Sequence, residues 1–193
     1  MPLNDAPVSA AFPFDTTDLA RRVADLEAQV RTLSDREAMT LCVFSGDLDK
    51  LMAAFTLANA AAACGQRVAL FFTFWGTAAL RRNVPQPRGK GLVERMFGWM
   101  LTSGPERQAL SKLHMGGMGR ALLGREMRQK GIPDLGAMID MAKEAGVEIL
   151  VCSMTMEIMG IRREELIDYP NLRVCGATQF VDLASEGKVT MFI

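Results

Sequence analysis

Cys152 is the residue whose type and position point most clearly to chemistry. It ends the run Glu148–Cys152, which is typical of a buried strand, and directly precedes a helical segment at residues 153–160. In an open parallel α/β sheet, ligands bind at the carboxyl ends of the strands. The first turn of a following helix offers unpaired N–H groups and the positive end of its dipole, which bias a thiol toward the reactive thiolate. We therefore predict that Cys152 is an accessible nucleophile.

The other three cysteines have packing roles as their default interpretation. Cys42 lies inside a strand-like run and Cys64 ends the first helix of the body, and a free cysteine packs as a small hydrophobic side chain. Cys175 closes the strand that follows the Cys152 strand in sequence. If these strands are neighbours, both thiols lie at the same sheet edge, and Cys175 becomes a candidate resolving thiol within disulfide range.

The turn formed by Ser45, Gly46 and Asp47 is the second candidate site, because it joins the first strand to the first helix of the body. Such turns often hold phosphate in doubly wound folds. The glycine spacing here matches neither dinucleotide nor P-loop patterns, and Asp47 and Asp49 would repel phosphate, so helix capping is favoured. If the strands are adjacent, this turn borders the Cys152 pocket. Five further side chains are predicted to line that pocket, with core packing as the alternative: Phe74, Trp75, Met154, Thr155 and Met156.

Strand-like and helical segments alternate along the body of the chain, residues 39–193, and these elements must position the candidate residues. The strand-like segments are residues 40–45, 67–75, 147–152, 172–175 and 189–193. This alternation predicts an α/β fold, a three-layer sandwich with a largely parallel five-stranded sheet. The first two strands and the helix between them form a βαβ unit with a right-handed crossover.

The N-terminal part departs from the α/β pattern. Residues 1–15 contain three prolines and are predicted to form a flexible tail. Residues 16–37 read as a helix with apolar side chains at heptad a and d spacing, flanked by charged residues. This seam comprises Leu19, Val23, Leu26, Val30 and Leu33. It is too short to be stable alone, so it either packs on the domain body or pairs with a second copy of the chain.

Residues 83–133 are a Met- and Gly-rich helical insertion with a strong positive charge. Residues 81–130 hold eleven basic and three acidic side chains, although the net charge of the chain is zero. One interpretation is a binding surface for an anionic partner or membrane, since the segment also carries exposed-type Trp and Met residues. The alternatives are solvated basic helix faces and a helical cap over the sheet or a sister subunit.

Composition excludes several other classes. A content of 49% hydrophobic and 23% charged residues is typical of a soluble globular chain. The chain shows no signal-like segment, and its longest charge-free stretches are too short to span a membrane. Four cysteines without metal-type spacing indicate a reducing cytoplasm rather than a disulfide scaffold. His114 is the single histidine, so no metal site is expected. We likewise expect no cofactor and no nucleic-acid partner.

Four motifs, in order, carry a family resemblance over residues 39–193. They are residues 44–50 (FSGDLDK), 71–76 (FFTFWG), 115–119 (MGGMG) and 152–160 (CSMTMEIMG). Together they resemble the DsrE/DsrF-like family, and most closely its DsrE2-type branch. The resemblance implies a cytoplasmic, homo-oligomeric α/β protein. It also implies that sulfane sulfur travels as a cysteine persulfide or thiosulfonate between rhodanese-like and TusA-like partners, with Cys152 matching the cysteine of the branch's Cys-x-Met motif.

Two functional hypotheses follow. The first is a sulfur carrier, or a sulfurtransferase-like enzyme, that acts through an alkylation-prone Cys152. The second is a non-catalytic oligomeric scaffold or peripheral membrane adaptor that uses the basic residues 88–130 and the heptad seam. It predicts an inert Cys152 and salt-sensitive binding to anionic lipid. A nucleotide or flavin protein is a third hypothesis, which copurifying absorbance would reveal.

Overall fold

The computed structural model describes residues 16–35, 38–101, 103–112 and 115–193. The predicted tail at residues 1–15 and His114 lie outside the described residues. The chain divides into two units that part between residues 33 and 34. The predicted helix, α1, spans Thr16–Asp35 and lies in the first unit except for its last two residues. Its seam residues Leu19, Val23 and Leu26 are exposed.

The second unit contains a five-stranded sheet in which every pair of neighbouring strands is parallel. The strands are β1 Ala38–Val43, β2 Arg67–Phe72, β3 Glu148–Cys152, β4 Leu172–Cys175 and β5 Val189–Phe192. Their order across the sheet is β4-β3-β2-β1-β5. The predicted fold class is therefore confirmed, and the sheet is wholly parallel.

The helices of this unit cover both faces of the sheet. They are α2 Leu48–Ala63, α3 Leu92–Met100, α4 Met118–Gln129, α5 Leu135–Glu144, α6 Ser153–Met159 and α7 Ala177–Glu186. Apolar side chains from α2, α5 and α6 pack with alternate residues of β1, β2 and β3 in the main core. Residues of α7 pack on the opposite face. The strand order explains this arrangement, because right-handed crossovers place helices on one face while the order advances and on the other when it reverses.

Strand ends differ from the predicted ones at the carboxyl edge, where the candidate residues lie. β1 ends at Val43 and β2 ends at Phe72, so both strands stop two or three residues earlier than the apolar runs suggest. Phe74 instead begins a 3₁₀-helix, Phe74–Leu80. The apolar run continues past the strand because this 3₁₀-helix is itself buried from Gly76 onward.

The described part of the predicted insertion is helical and contains α3 and α4. It also contains short 3₁₀ turns at Pro105–Arg107 and Met115–Gly117. Asp49 of α2 ties this segment to the sheet layer, since its carboxylate accepts hydrogen bonds from the Ser111 amide at 2.9 Å and the Ser111 hydroxyl at 2.6 Å. Among the described residues, no helix combines the length and apolar character that a membrane crossing needs.

Candidate functional site

Cys152 and Cys175 lie side by side at the carboxyl edge of the sheet. They are the last residues of β3 and β4, and the parallel register pairs them directly. Both side chains belong to one apolar cluster on the α7 face of the sheet, together with Ala69, Phe71 and Leu150. This placement follows from strand alternation, because Leu150 and Cys152 are two residues apart and so point to the same face.

Cys152 is buried, with 2% of its surface exposed, and Cys175 is 6% exposed. The expectation of an accessible Cys152 thiol is therefore wrong for the single chain. The helix that follows explains part of this result, since Cys152 is the N-cap residue of α6 but its side chain makes no capping hydrogen bond. Its side chain turns instead into the cluster beneath α7.

A thin layer covers the two thiols. Among the described residues, α7 is the helix whose side chains pack on this cluster, through Phe180 and Leu183. The ring of Phe180 stacks on that of Phe71, with centroids 4.8 Å apart and planes inclined by 17°. None of the α7 residues is itself fully buried. Elements that bury few apolar groups open locally at low free-energy cost, so an opening of α7 would expose Cys152.

Cys42 joins the same region from β1. It is half-buried and packs against the cluster around Cys152. Burial raises the pKa of Cys42, and the neighbouring Cys152 raises it further. Cys64 is different, because it is exposed at the end of α2, at the opposite edge of the sheet. The packing role predicted for Cys64 is therefore wrong; the buried face of α2 ends at Ala58, before its last turn.

A cleft of about 460 Å³ opens beyond β1 and β2. Four predicted pocket residues line it: Ser45, Gly46, Asp47 and Trp75. Apolar side chains of the α3 region close its other side: Phe97, Met100 and Leu101. The insertion thus supplies one wall of this cleft, which sequence reasoning did not foresee because the contact joins residues about 50 positions apart.

Two glycines let the loops after β1 and β2 approach closely. A Cβ on Gly46 would lie 2.6 Å from the carbonyl oxygen of Trp75, and a Cβ on Gly76 would lie 2.4 Å from that of Val43. The Gly76 amide also donates to the Phe44 carbonyl at 2.9 Å. Glycines of the two motifs therefore serve the close packing of two backbones, which sets the position of the cleft.

The polar groups of the cleft bond to one another. The Ser45 hydroxyl donates to Asp47 Oδ2 at 2.8 Å, and Lys50 Nζ lies 2.8 Å from the same carboxylate oxygen. Asp47 occupies the N-cap position of α2, yet its side chain makes no capping hydrogen bond. The helix-capping role predicted for this turn is thus not fulfilled by the Asp47 side chain. Its carboxylate is neutralised by Lys50 instead.

The remaining pocket candidates lie elsewhere. Thr155 is buried, and its hydroxyl lies 3.0 Å from that of Thr73 and accepts the Phe74 amide at 3.1 Å. Met156 is a core residue, whereas Met154 is half-exposed. The expectation that the Ser45 turn borders Cys152 fails because β2 lies between β1 and β3. The cleft and the thiol pair are therefore two separate features of the same sheet edge.

A buried ion cluster, which sequence reasoning missed, fixes the insertion beside the sheet. Glu165 is fully buried and lies 3.1 Å from Arg81 Nη2 and 2.5 Å from Lys90 Nζ. The Arg162 amide donates to the same carboxylate at 2.8 Å. Both cations lie within the basic segment 81–130, so the alternative of solvated basic faces is wrong for these two residues. Their charges gave no signal in the sequence, because burial of this kind depends on contacts between distant segments.

The sequence profile of the DsrE/DsrF/DrsH-like family matches residues 35–192. The uncharacterised protein YrkE of Bacillus subtilis is 40% identical over 154 residues, which cover 80% of this chain and 95% of YrkE. The sulfur carrier protein DsrE2 of Allochromatium vinosum is 27% identical over 171 residues, covering 82% of this chain and 99% of DsrE2. The crystal structure of the E. coli YchN protein aligns with a TM-score of 0.46 and 12% identity, covering 81% of this chain and 99% of YchN. The chain belongs to the DsrE/DsrF/DrsH-like family.

Proposed function

We propose that this protein carries sulfane sulfur on Cys152, as a persulfide or thiosulfonate. The observation that carries the proposal is the position of Cys152, at the carboxyl end of an inner parallel strand. Ligands of open α/β sheets bind at this edge. Membership of the family and the relationship to a protein named as a sulfur carrier support sulfur as the cargo.

The chemistry needs one nucleophile and two thiol exchanges. The Cys152 thiolate attacks the sulfane sulfur of a donor, a new S–S bond forms, and the donor leaves with the electron pair of its broken bond. An acceptor thiolate then attacks the outer sulfur and returns Cys152 to its thiolate form. Rhodanese-like donors and TusA-like acceptors fit these two steps, and a reducing cytoplasm would keep the four cysteines in the free form.

Burial of Cys152 serves this role. A site closed to water protects reactive intermediates from side reactions. The outer sulfur would lie under α7, where Phe180 and Leu183 exclude solvent. Loading and unloading then require α7 to move, so we expect partner proteins to act on this face of the sheet.

The test is mass spectrometry of the intact protein and its peptides after exposure to thiosulfate or polysulfide. We expect one added sulfur on the Cys152 peptide, absent in Cys152→Ser and passed on to a thiol acceptor. Cys64→Ser is the matched control, because Cys64 is exposed and lies at the other edge of the sheet. An adduct that is absent from Cys152 at every time sampled from the start of exposure, or one shared equally with Cys42 and Cys64, would refute the proposal.

A second candidate function rests on the surface of α3. Leu92 and Trp99 are 86% and 84% exposed, and Met96 and Met100 are also exposed. Arg88 and Arg95 border the same surface. Apolar and basic groups in this arrangement suit contact with an anionic membrane surface. We expect salt-sensitive sedimentation with phosphatidylserine-containing vesicles that Trp99→Ser abolishes and Val181→Ser, an equally polar change on α7, preserves. Absence of sedimentation in the wild type would reject this candidate.

A further inference from the structure

The pairing of Cys152 with Cys175 places two thiols in disulfide range. Adjacent strands lie about 4.8 Å apart, and the Cα atoms of a disulfide are usually about 4.4–6.8 Å apart. The two cysteines are direct register partners and share one face of the sheet. Cys42 lies on β1, with β2 between it and β3, so its Cα atom is about two strand spacings from Cys152 and outside this range.

We propose that Cys175 is a resolving thiol, which discharges Cys152 by forming a Cys152–Cys175 disulfide and expelling the carried sulfur as hydrosulfide. This inference rests on the proposed persulfide on Cys152. It assigns the second buried thiol of the cluster a role that packing alone does not require.

The atoms and electrons of this step balance. The Cys175 thiolate, having lost its proton to solvent, attacks Sγ of Cys152. The bond between that Sγ and the outer sulfur breaks, and the outer sulfur leaves with the electron pair as hydrosulfide. The two cysteine sulfurs are oxidised to the disulfide level, and the outer sulfur is reduced from sulfane sulfur to sulfide. A dithiol reductant then reopens the disulfide for another cycle.

The surroundings of Cys175 make this step slow at neutral pH. Burial raises the pKa of Cys175, the neighbouring Cys152 adds to the rise, and Arg173 opposes it only in part. Because only the thiolate attacks, most Cys175 is unreactive at any moment. An acceptor protein that arrives promptly takes the sulfur first. A carrier that meets no acceptor closes to the disulfide and releases the sulfur, which limits how long a reactive persulfide persists.

The experiment loads the full chain with polysulfide, removes the excess donor by desalting, and follows hydrosulfide release together with disulfide-linked peptides. The wild type is expected to yield a Cys152–Cys175 linked peptide and one hydrosulfide per chain. In Cys175→Ser, sulfur should stay on Cys152 and release should slow at least about tenfold, because an attacking thiol is lost. Cys175→Ala repeats the test without burying a hydroxyl, and Cys42→Ser should behave as the wild type.

The outcomes separate this inference from the proposed function. If Cys152 loads but Cys175→Ser and Cys175→Ala release hydrosulfide as fast as the wild type, or no linked peptide forms, the resolving role alone is refuted. If Cys152 takes no sulfur in any variant, the carrier function fails and the resolving role fails with it.

An independent observation on α1 supports a second inference, about partner choice. In heptad positions, Val23 and Val30 fall at a, whereas Leu19, Leu26 and Leu33 fall at d. Valine at a with leucine at d favours two parallel strands. The seam residues Leu19, Val23 and Leu26 are exposed in the single chain.

The charged residues beside the seam also favour parallel pairing of α1 with α1 of a second copy. Arg22 falls at position g and Glu27 at position e of the next heptad, five residues on. A parallel pair of helices brings g of one chain against e of the other, so two copies would make two Arg22–Glu27 ion pairs across the seam. We infer that α1 pairs with α1 of a second copy as a parallel two-stranded coiled coil.

Sedimentation equilibrium of the full chain tests this pairing. Leu26→Asp should weaken self-association, and so should Arg22→Glu or Glu27→Arg alone, because each single change places like charges opposite one another. Mixing the Arg22→Glu and Glu27→Arg chains should restore association, since all cross-seam pairs become attractive. Arg21→Glu makes the same charge change at position f, off the seam, and should have no effect. Self-association that is absent in the wild type, or unaltered by Leu26→Asp, would overturn the inference.

Discussion

Gly46 packs against the backbone of Trp75 so closely that an added Cβ would lie 2.6 Å from the Trp75 carbonyl oxygen. This contact joins the loop after β1 to the loop after β2 and holds one wall of the cleft at the sheet edge. The obstructing atom belongs to the backbone, so a side chain at position 46 forces the two loops apart.

We therefore expect Gly46→Ala to lower the free energy of unfolding by about 1–3 kcal/mol, the usual cost of overpacking. Gly124→Ala is the matched control, since Gly124 lies inside α4 and its added Cβ meets only a flexible arginine end at 3.5 Å. There alanine should stabilise by about 0.5–1 kcal/mol. Urea unfolding of both variants provides the measurement, and a neutral Gly46→Ala would contradict the close contact.

Glu165→Gln should be among the most destabilising single changes in the protein. It would leave Arg81 and Lys90 buried without their shared counter-ion, and removing one partner of a buried ion pair costs about 3–5 kcal/mol. Glu164→Gln changes the preceding, exposed carboxylate and should alter stability by less than about 0.5 kcal/mol. If Glu165→Gln and Glu164→Gln lower the free energy of unfolding equally in thermal or urea unfolding, the buried ion cluster does not stabilise the fold.

The Glu165 carboxylate should also make the stability of the folded protein sensitive to acid. Burial opposes ionisation of Glu165, but hydrogen bonds from Lys90 and the Arg162 amide, with the charges of Lys90 and Arg81, outweigh it and lower the pKa of Glu165. A lowered pKa stabilises the folded state fully above the unfolded pKa of about 4.3, and that contribution is lost as the pH falls through the folded value. Unfolding free energy measured from pH 7 to about pH 3 should fall steeply below about pH 4.3 in the wild type. The unfolding free energy of Glu165→Gln should fall less steeply with decreasing pH than that of the wild type. Parallel curves for the two proteins would contradict a lowered pKa of Glu165.

Phe180→Ala should expose the thiol pair. Its ring stacks on Phe71 at 4.8 Å and covers the cluster that contains Cys152 and Cys175. Loss of an aromatic pair removes about 0.5–1.5 kcal/mol beyond the buried area, so α7 should open more often. Alkylation of Cys152 and Cys175 under native conditions should speed up about twofold to twelvefold, following that free-energy change. Val181→Ala, at an exposed position of α7, should leave the rates unchanged. Equal rates in Phe180→Ala and the wild type would show that reactants reach the thiols by another route.

Local patterns were sufficient to predict most of the secondary structure. β4 occupies the residues expected for it. Period-two and period-3.6 spacing of apolar residues reflects short-range geometry, so it is readable along the chain. The ends of β1 and β2 were misplaced because buried apolar residues continue into the turn and the 3₁₀-helix beyond them.

The order of the strands in the sheet could not be predicted from these local patterns. The sequence indicated that Cys152 and Cys175 each end a strand, but their pairing depends on β4 adding beside β3. The Ser45 turn was expected to border Cys152 only if their strands were adjacent, and that condition is not met because β2 lies between β1 and β3. Strand order is a long-range property, decided by which apolar faces pack together and by the handedness of the crossovers.

The sequence by itself determined the fold class, the heptad seam of α1 and the family, because each depends on residue types at short, regular spacing. Tertiary structure alone decided that Cys152 is covered by α7, that Arg81 and Lys90 share the buried Glu165, and that the insertion closes a cleft over the Ser45 turn. The physical reason is that burial and charge pairing depend on groups brought together from distant segments. Whether a thiol or a cation meets water or protein is a property of the packed layers rather than of its neighbours in the chain.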